Sequence, residues 1–350
     1  MESGITLYED YRLGGEPSLV FGNPADAMRV PDEILEPGVF LYFQESGDMS
    51  ERRRAIGTAF FISIRSKTAN LLYPYLVTAK HCVVEPMERG DLFVRLNTTD
   101  GASAFVQVKD GWLFPDDPSS DIAVLPFGIP SELQNRFEFR TVAEAMLATE
   151  AKLKEHEVGI GDEIVISGLF TRLAAKPRNI PIVRFGNISA LPTQLSDSKT
   201  GLNYHAFLAE VRSIGGLSGS PVFVVIGPGR VPPSKTMRLD RRYLMLIGVV
   251  RGHWEHKEPG IGEAGSAFAD ELAKVNWGIT TITPVKDVLS ILYGDELMKR
   301  REQSDEVLKR QDGTVEDSVL AIDHEAEQSF TQGDFEAALR KAARKKSGES

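Results

Sequence analysis

The residues best suited to chemistry in this chain are a serine set between glycines, six histidines, and acids that border apolar runs. Ser218 lies in the segment Gly216–Pro221, whose small residues and proline are also typical of an ordinary turn. A serine hydroxyl is a poor nucleophile unless a histidine accepts its proton and a buried carboxylate orients that histidine. The segment is therefore either a nucleophile turn or a plain loop, and a matching histidine and aspartate would decide between them.

His81 is the only histidine that closes an apolar, strand-like run. Aromatic and branched residues fill Tyr73–Val77, and small and polar residues follow immediately before His81. A histidine where a strand leaves the core suits a half-exposed general base, although it could also be packed there for structural reasons. The other histidines have no such setting: His156, His205, His253, His256 and His324.

Asp121 is the best-placed carboxylate. A loop signal, Pro118–Ser120, precedes it, and a short apolar run, Ile122–Phe127, follows it. An acid at this junction can be buried while it contacts His81, or it can cap local backbone amides. Asp116 and Asp117 belong to a turn rich in Pro, Asp and Ser, where acids usually face solvent.

These three blocks resemble the motifs of trypsin-like (chymotrypsin-fold) serine peptidases of the bacterial type. The matching segments are Thr78–Cys82, Asp121–Leu125 and Gly216–Pro221, in the order His, Asp, Ser, with separations of 40 and 97 residues. Gly219–Phe223 resembles the glutamyl endopeptidases. Two further segments, Gly161–Ile166 and Phe185–Ser189, resemble the second barrel of the HtrA-like branch. The likeness covers residues 38 to 290 and includes no PDZ domain.

The resemblance implies a role for each residue. Ser218 attacks a peptide carbonyl, His81 acts as general base and then general acid, and Asp121 holds the imidazole tautomer. The backbone amides of Gly216 and Ser218 would form the oxyanion hole. Leu217 stands where trypsin-like zymogens carry the acid that pairs with a newly freed amino terminus, so that activation switch is not expected. The single cysteine, Cys82, cannot form an internal disulfide and is expected to be a small buried filler.

The chain contains two series of short β-rich runs, which predict two β lobes. The resemblance makes these lobes six-stranded antiparallel barrels of a mainly β fold with a helical C-terminal extension. The runs Val142–Ala148 and Lys152–Lys154 favour helix and are interpreted as the connection between the lobes. The expected ranges are an N-terminal extension (1–36), the first barrel (37–135), the connection (136–157), the second barrel (158–290) and a helical tail (291–350).

Substrate preference is the least constrained feature of the sequence. Alignment by the resemblance puts Arg212 near the base of the specificity pocket, and it puts Arg251 and Gly252 on the strand that pairs with substrate. Two arginines could favour an acidic side chain before the scissile bond. They could equally face solvent or pair with acids such as Glu210. The glutamyl endopeptidases use a histidine on this strand, and only a shifted register would place His253 there.

Composition limits the binding partners and the cellular location that we expect for the protein. A net charge of −10 and a pI near 5.3 argue against a nucleic-acid role for the whole chain. The acidic first residues lack a signal-peptide pattern, and no long uncharged run could span a bilayer, so cytoplasmic residence without membrane association is the expectation. No cofactor or metal is implied.

A helix is expected over residues 286 to 311, where it would pack on the second barrel. Further helices are expected after Thr314, and the last begins at Asp334. Its apolar face could dock on the body of the protein or on a regulatory partner, or the segment could be a solvated tail.

The function that the sequence favours is that of a serine endopeptidase acting on proteins or peptides. The alternative is a latent or catalytically silent trypsin-like domain that binds other proteins.

Overall fold

The structure is a computed structural model, and it describes residues 30–47, 52–68, 71–128, 135–138, 140–170, 173–174, 176–197, 200–211, 216–227, 230, 243–253 and 278–312. The N-terminal extension up to residue 29, the predicted helices beyond Thr314, and Arg212 lie outside the described residues.

Seven strands form the first lobe: β1 (Gly38–Glu45), β2 (Arg54–Arg65), β3 (Leu72–Thr78), β4 (Gly90–Asn97), β5 (Ser103–Val108), β6 (Ala123–Pro126) and β7 (Val142–Ala143). Six of them follow the antiparallel order β5-β4-β1-β2-β3-β6, and β7 pairs with β2 in parallel. In β5 the residues alternate between buried and half-buried, which is the period of two expected when one face of a strand packs on a core.

Six strands form the second lobe: β8 (Glu163–Leu169), β9 (Pro181–Ser196), β10 (Asn203–Glu210), β11 (Pro221–Ile226), β12 (Tyr243–His253) and β13 (Ile279–Pro284). They close into a barrel in the order β10-β13-β12-β11-β8-β9. The mainly β, two-lobed chymotrypsin fold predicted from the sequence is therefore confirmed. The two lobes differ in that hydrogen bonds close the second sheet, whereas the described part of the first is an open path.

The described helices are short except at the C-terminal end: α1 (Asp32–Leu35), α2 (Val84–Met87), α3 (Glu150–Glu155), α4 (Val285–Leu292) and α5 (Asp295–Asp312). Two 3₁₀ turns cover Lys80–Cys82 and Glu144–Met146. The prediction of a helix over Val142–Ala148 was wrong. Val142 is fully buried and pairs with β2 as part of strand β7, and a 3₁₀ turn follows it. Among the described residues, no helix is long and apolar enough to cross a bilayer.

The contact between the lobes is apolar and comes from strands with two buried faces. On β2, Ala59 and Phe61 point into the core of the first lobe, whereas Phe60 and Ile62 belong to the same buried cluster as the core of the second. Strands β3 and β6 repeat this alternation, with Leu76 and Leu125 on the inner side. Burying a large apolar side chain stabilises a fold by about 1.5–3 kcal/mol, so this shared face fixes how the lobes meet.

The C-terminal helices contact both lobes. The apolar residues of α4 join the core of the second lobe, as expected for the segment after residue 285. Helix α5 reaches the first lobe, which corrects the expectation that one helix over 286–311 packs on the second. Its buried Arg301 donates to the hydroxyl of Tyr75 (2.8 Å), and Asp305 accepts from Tyr73 (2.6 Å) and Ser66 (2.5 Å).

The contact of α5 with the first lobe is expected to contribute to global stability. Asp305→Ala leaves the half-buried hydroxyl of Tyr73 and the buried hydroxyl of Ser66 without their carboxylate acceptor, which should lower the free energy of unfolding by about 1–3 kcal/mol. Urea unfolding measures this difference. Glu302→Ala removes an exposed acid from the same helix and should leave stability within about 0.5 kcal/mol of wild type. Equal effects of the two substitutions would contradict this account of α5.

Candidate active site

His81 and Asp121 meet because their strands are neighbours. Strand β3 ends three residues before His81, and β6 begins two residues after Asp121. The two strands are antiparallel with Thr78 opposite Ala123, so the end of one and the start of the other lie at the same edge of the sheet. The 3₁₀ turn Lys80–Cys82 then turns the chain across that edge, and Lys80 donates from its amide to the carbonyl of Asp121 (3.3 Å).

The carboxylate of Asp121 holds His81 at two points. Its Oδ2 lies 2.8 Å from Nδ1 of the imidazole, and its Oδ1 accepts from the backbone amide of His81 at 2.9 Å. The Asp121 side chain is 9 % exposed, whereas that of His81 is 48 % exposed. Two anchoring bonds to a buried acid fix the ring and favour the tautomer with its proton on Nδ1. Nε2 is then the atom available for proton transfer.

Two neighbours change the protonation of His81. Burial by itself would lower the pKa of the imidazole, but the Cys82 sulfur and the Asp121 carboxylate outweigh burial and raise that pKa above its ordinary value. Cys82 Sγ lies 3.5 Å from Nε2. Its thiol is free, 4 % exposed, and packed in the core of the first lobe, as the buried-filler interpretation expected.

Ser218 lies on the turn that leads into β11, and the turn needs two of its glycines. Gly216 and Gly219 have φ values of 101° and 84°, a region that residues with a Cβ rarely adopt. The turn is tied to the second lobe by Gly219, whose amide donates to the carbonyl of Val250 (2.8 Å). It is tied to the first lobe by the carbonyl of Ser218, which accepts from the amide of Thr58 (2.9 Å).

Leu217 anchors this turn by burial. The side chain is 1 % exposed and belongs to the core of the second lobe. It fits closely over Gly168 of β8, where an added Cβ would lie 2.5 Å from Leu217 Cδ2. An apolar contact therefore stands where the resemblance implies an ion pair in zymogens.

The third link of the triad is open in this structure. The Ser218 hydroxyl makes a long contact of 3.5 Å with the carbonyl of Arg251, and among the described residues no hydrogen bond joins it to His81. Within the same ranges, neither the amide of Gly216 nor that of Ser218 donates a hydrogen bond. The sheet edge brings His81 and Asp121 together, and the turn carries Ser218 with its two candidate oxyanion donors.

Arg251 is engaged within the protein. Its guanidinium donates to the carboxylate of Asp197 (2.9 Å) and to the carbonyl of Ser119 (3.0 Å), and it lies 3.8 Å from the ring centroid of Tyr204. The carbonyl of Gly252 accepts from the Thr281 hydroxyl (3.0 Å). Arg251 is therefore paired with groups of the protein itself, and Arg212 lies outside the described residues.

Sequence reasoning missed Asp197, Tyr204 and Thr58. Asp197 follows β9 directly, and nothing in its neighbourhood marks it as the partner of an arginine 54 residues away. Thr58 lies in a strand-forming run where threonine is common. No group of three His, Cys, Asp or Glu in the described ranges is arranged to hold a metal ion.

His81 should titrate according to its contact with Asp121. Asp121→Asn removes the negative charge beside Nδ1, so the pKa of His81 should fall, as followed by NMR of the imidazole protons. Because folding raises this pKa, the pair stabilises the fold fully below the ordinary value of 6.5 and stops doing so as pH rises through the folded value.

The control is Asp117→Asn, since Asp117 accepts from Ser119 and makes no hydrogen bond to His81. An unchanged titration in the Asp121 variant would show that this carboxylate does not govern the imidazole.

Comparison with known proteins yields structural neighbours only. No family model matches the chain, and no curated protein matches it. The apo form of the MamO protease domain from Magnetospirillum magneticum is 14 % identical, with a TM-score of 0.42, over 74 % of this chain and 97 % of that one.

Two other solved structures are similar over 75 % of this chain. Deg5 is 16 % identical, with a TM-score of 0.41, over 92 % of its own chain. An inactive form of the Rv3671c protease is 15 % identical, with a TM-score of 0.37, over 89 % of its chain. The assignment of this chain to the chymotrypsin fold depends on its own strand order and barrel closure.

Proposed function

We propose that this protein is a serine endopeptidase that cleaves proteins or peptides with a His81–Asp121–Ser218 triad. The observation that carries the proposal is the pair of hydrogen bonds, 2.8 and 2.9 Å long, by which the buried Asp121 holds the ring and the backbone of His81. A general base requires an imidazole that is partly exposed and has a buried carboxylate against one of its nitrogens, and His81 meets both conditions.

The reaction divides into two steps. In the first, Ser218 Oγ bonds to the substrate carbonyl carbon as Nε2 of His81 takes the hydroxyl proton, and the peptide C–N bond then breaks as that proton passes to the leaving amine. In the second, His81 takes a proton from water, and the hydroxide breaks the ester to release the acid and restore the Ser218 hydroxyl. The amides of Gly216 and Ser218 are proposed to stabilise the oxyanion in both steps.

The latent alternative has one observation in its favour, namely that Ser218 contacts the Arg251 carbonyl while His81 Nε2 contacts Cys82. To form the triad, the Ser218 hydroxyl would have to exchange this carbonyl for the imidazole. Catalytic hydrogen bonds are often long before substrate binds. The latent state is therefore a resting form of the same site, which a substrate or a regulatory partner would tighten.

Two finer points complete the proposal. Cytoplasmic residence is proposed because Cys82 is a free thiol and the chain has no second cysteine to oxidise with it. The partner is proposed to be a polypeptide substrate, with no nucleic acid, membrane or cofactor involved.

A fluorophosphonate probe tests the nucleophile. Wild-type protein should be labelled at Ser218, and Ser218→Ala should lose labelling, because the other hydroxyl of the Gly216–Pro221 turn, on Ser220, is fully buried. The matched control is Ser220→Ala, which deletes a fully buried hydroxyl two residues further along. Labelling of Ser218→Ala at the wild-type rate would sink the assignment. Labelling that appears only after a denatured protein substrate is added would favour the latent form.

The labelling rate should also depend on pH through His81. The base works only when Nε2 is unprotonated, so the rate should rise with pH and reach half its maximum above the ordinary histidine value of 6.5. Asp121→Asn should move that midpoint to lower pH and reduce the plateau, because the tautomer is no longer held. A wild-type midpoint below 6.5 would contradict the electrostatic description of the pair.

A further inference from the structure

Thr58 lies where the first lobe touches the nucleophile turn of the second. It is on β2, paired across the sheet with Phe40 of β1, and it is completely buried. The residue on its amino-terminal side, Gly57, leaves room for this contact, since a Cβ there would lie 3.2 Å from the carbonyl oxygen of Ser218 and 2.9 Å from Cys82 Sγ. The turn and strand β2 are therefore in direct contact, and a side chain at position 57 would separate them.

Thr58 uses both of its backbone polar atoms in long-range contacts. Its amide donates to the carbonyl of Ser218 (2.9 Å), and its carbonyl accepts from the hydroxyl of Thr78 (2.7 Å), three residues before His81. The same residue thus touches the turn that carries the nucleophile and the strand end that carries the base.

The Thr58 hydroxyl adds two bonds that the backbone alone does not provide. Oγ1 donates to the carbonyl of Gly216 (2.7 Å) and accepts from the amide of Leu169 (3.1 Å). A buried hydroxyl with both a donor and an acceptor partner is held in one orientation. The branched side chain of threonine further restricts rotation about its first torsion.

These bonds fix the turn on both sides of Leu217. Thr58 holds the carbonyl of Gly216 with its side chain and the carbonyl of Ser218 with its backbone. Gly216 has a φ of 101°, and fixing its carbonyl also fixes the direction of its amide as long as both backbone torsions of this residue are kept. The turn and Thr58 are packed too closely for a side chain at position 219, because a Cβ on Gly219 would lie 2.1 Å from the carbonyl oxygen of Thr58.

We propose that the Thr58 hydroxyl is a positioning group, which orients the Gly216 amide and the Ser218 hydroxyl for catalysis by holding the Gly216 carbonyl. This inference rests on the proposed function, since it concerns the geometry of the same site. Thr58 touches neither the substrate nor the reacting atoms, and it acts through Gly216 and Leu169.

The decisive comparison is Thr58→Val against Thr58→Ser. Valine keeps the shape and removes both hydroxyl bonds, whereas serine keeps the hydroxyl and loses only the methyl group. A displacement of about 1 Å at a catalytic centre can cost about 100-fold in rate. We therefore expect Thr58→Val to lower the maximum rate of fluorophosphonate labelling about 10- to 100-fold, with the half-saturating probe concentration little changed, and Thr58→Ser to recover most of it.

Thr283→Val is the matched control. Thr283 is a buried threonine of β13 whose hydroxyl has no hydrogen-bond partner among the described residues, so this change removes a hydroxyl without breaking any bond that the structure describes. Its labelling rate should equal that of wild type. Should Thr58→Val fail to fold, Thr58→Ala and Thr58→Ser replace it, because both lose the methyl group and only the serine keeps the hydroxyl.

Hydrogen exchange separates this inference from the proposed function. The amides of residues 216–221 should exchange faster in Thr58→Val than in wild type or Thr283→Val, whether or not the protein is active. A wild-type protein that never reacts with the probe contradicts the endopeptidase, and the exchange result then decides the positioning role alone. In an active protein, a Thr58→Val variant that reacts at the wild-type rate overturns the positioning role, even if its turn exchanges faster.

Discussion

The structure depends on one apolar contact, the face that β2, β3 and β6 turn towards the second lobe. These strands are buried on both sides, so alternate residues such as Phe60 and Phe61 serve two different cores. This contact is non-directional and holds the lobes together without specifying the positions of polar atoms. Thr58 is the second residue of the buried part of the same β2, and Asp121 directly precedes the buried Ile122 beside β6. The residues of the proposed triad therefore lie at the rim of the apolar contact, where small shifts between the lobes are resisted by packing.

The polar groups at this rim are arranged so that each buried charge has partners. Asp121 takes two bonds from His81, and the Arg251 guanidinium is shared between Asp197 and the carbonyl of Ser119. Ser119 lies two residues before Asp121, so Arg251 ties the loop that carries Asp121 to the second lobe. Removing one member of such a set leaves another unpaired in a poorly solvated place, which costs more than the pair itself contributes. The engagement of Arg251 thus favours a role in assembly of the site over recognition of an acidic substrate.

The sequence predicted the residues whose signals are local. His81 follows an apolar run, Asp121 separates a loop signal from a strand, and Ser218 lies among turn residues. Each could therefore be identified from the few residues next to it in the sequence. The extent of strand β9 was harder to predict, because its residues 191–194 are all exposed and lack the alternation that marks a strand. The hydrogen bonds of the Arg251 guanidinium, the contact of α5 with the first lobe, and the hydrogen bonds of the Thr58 hydroxyl join residues more than 50 positions apart. Such pairings depend on how the lobes meet, which no window of sequence encodes.

The Gly216–Pro221 turn is held in place by Leu217 and Thr58, neither of which carries a titratable group. Leu217 is fixed by burial against Gly168, and the carbonyls on either side of it are fixed by the amide and the hydroxyl of Thr58. An ion pair in that place would form or break with pH, ionic strength or the release of a charged terminus, whereas packing and neutral hydrogen bonds do not respond to these conditions. Any regulation of this site would have to act on side chains that can change their hydrogen-bond partners. These are the Ser218 hydroxyl, which makes only a long contact with the carbonyl of Arg251, and the imidazole nitrogen of His81 that contacts Cys82.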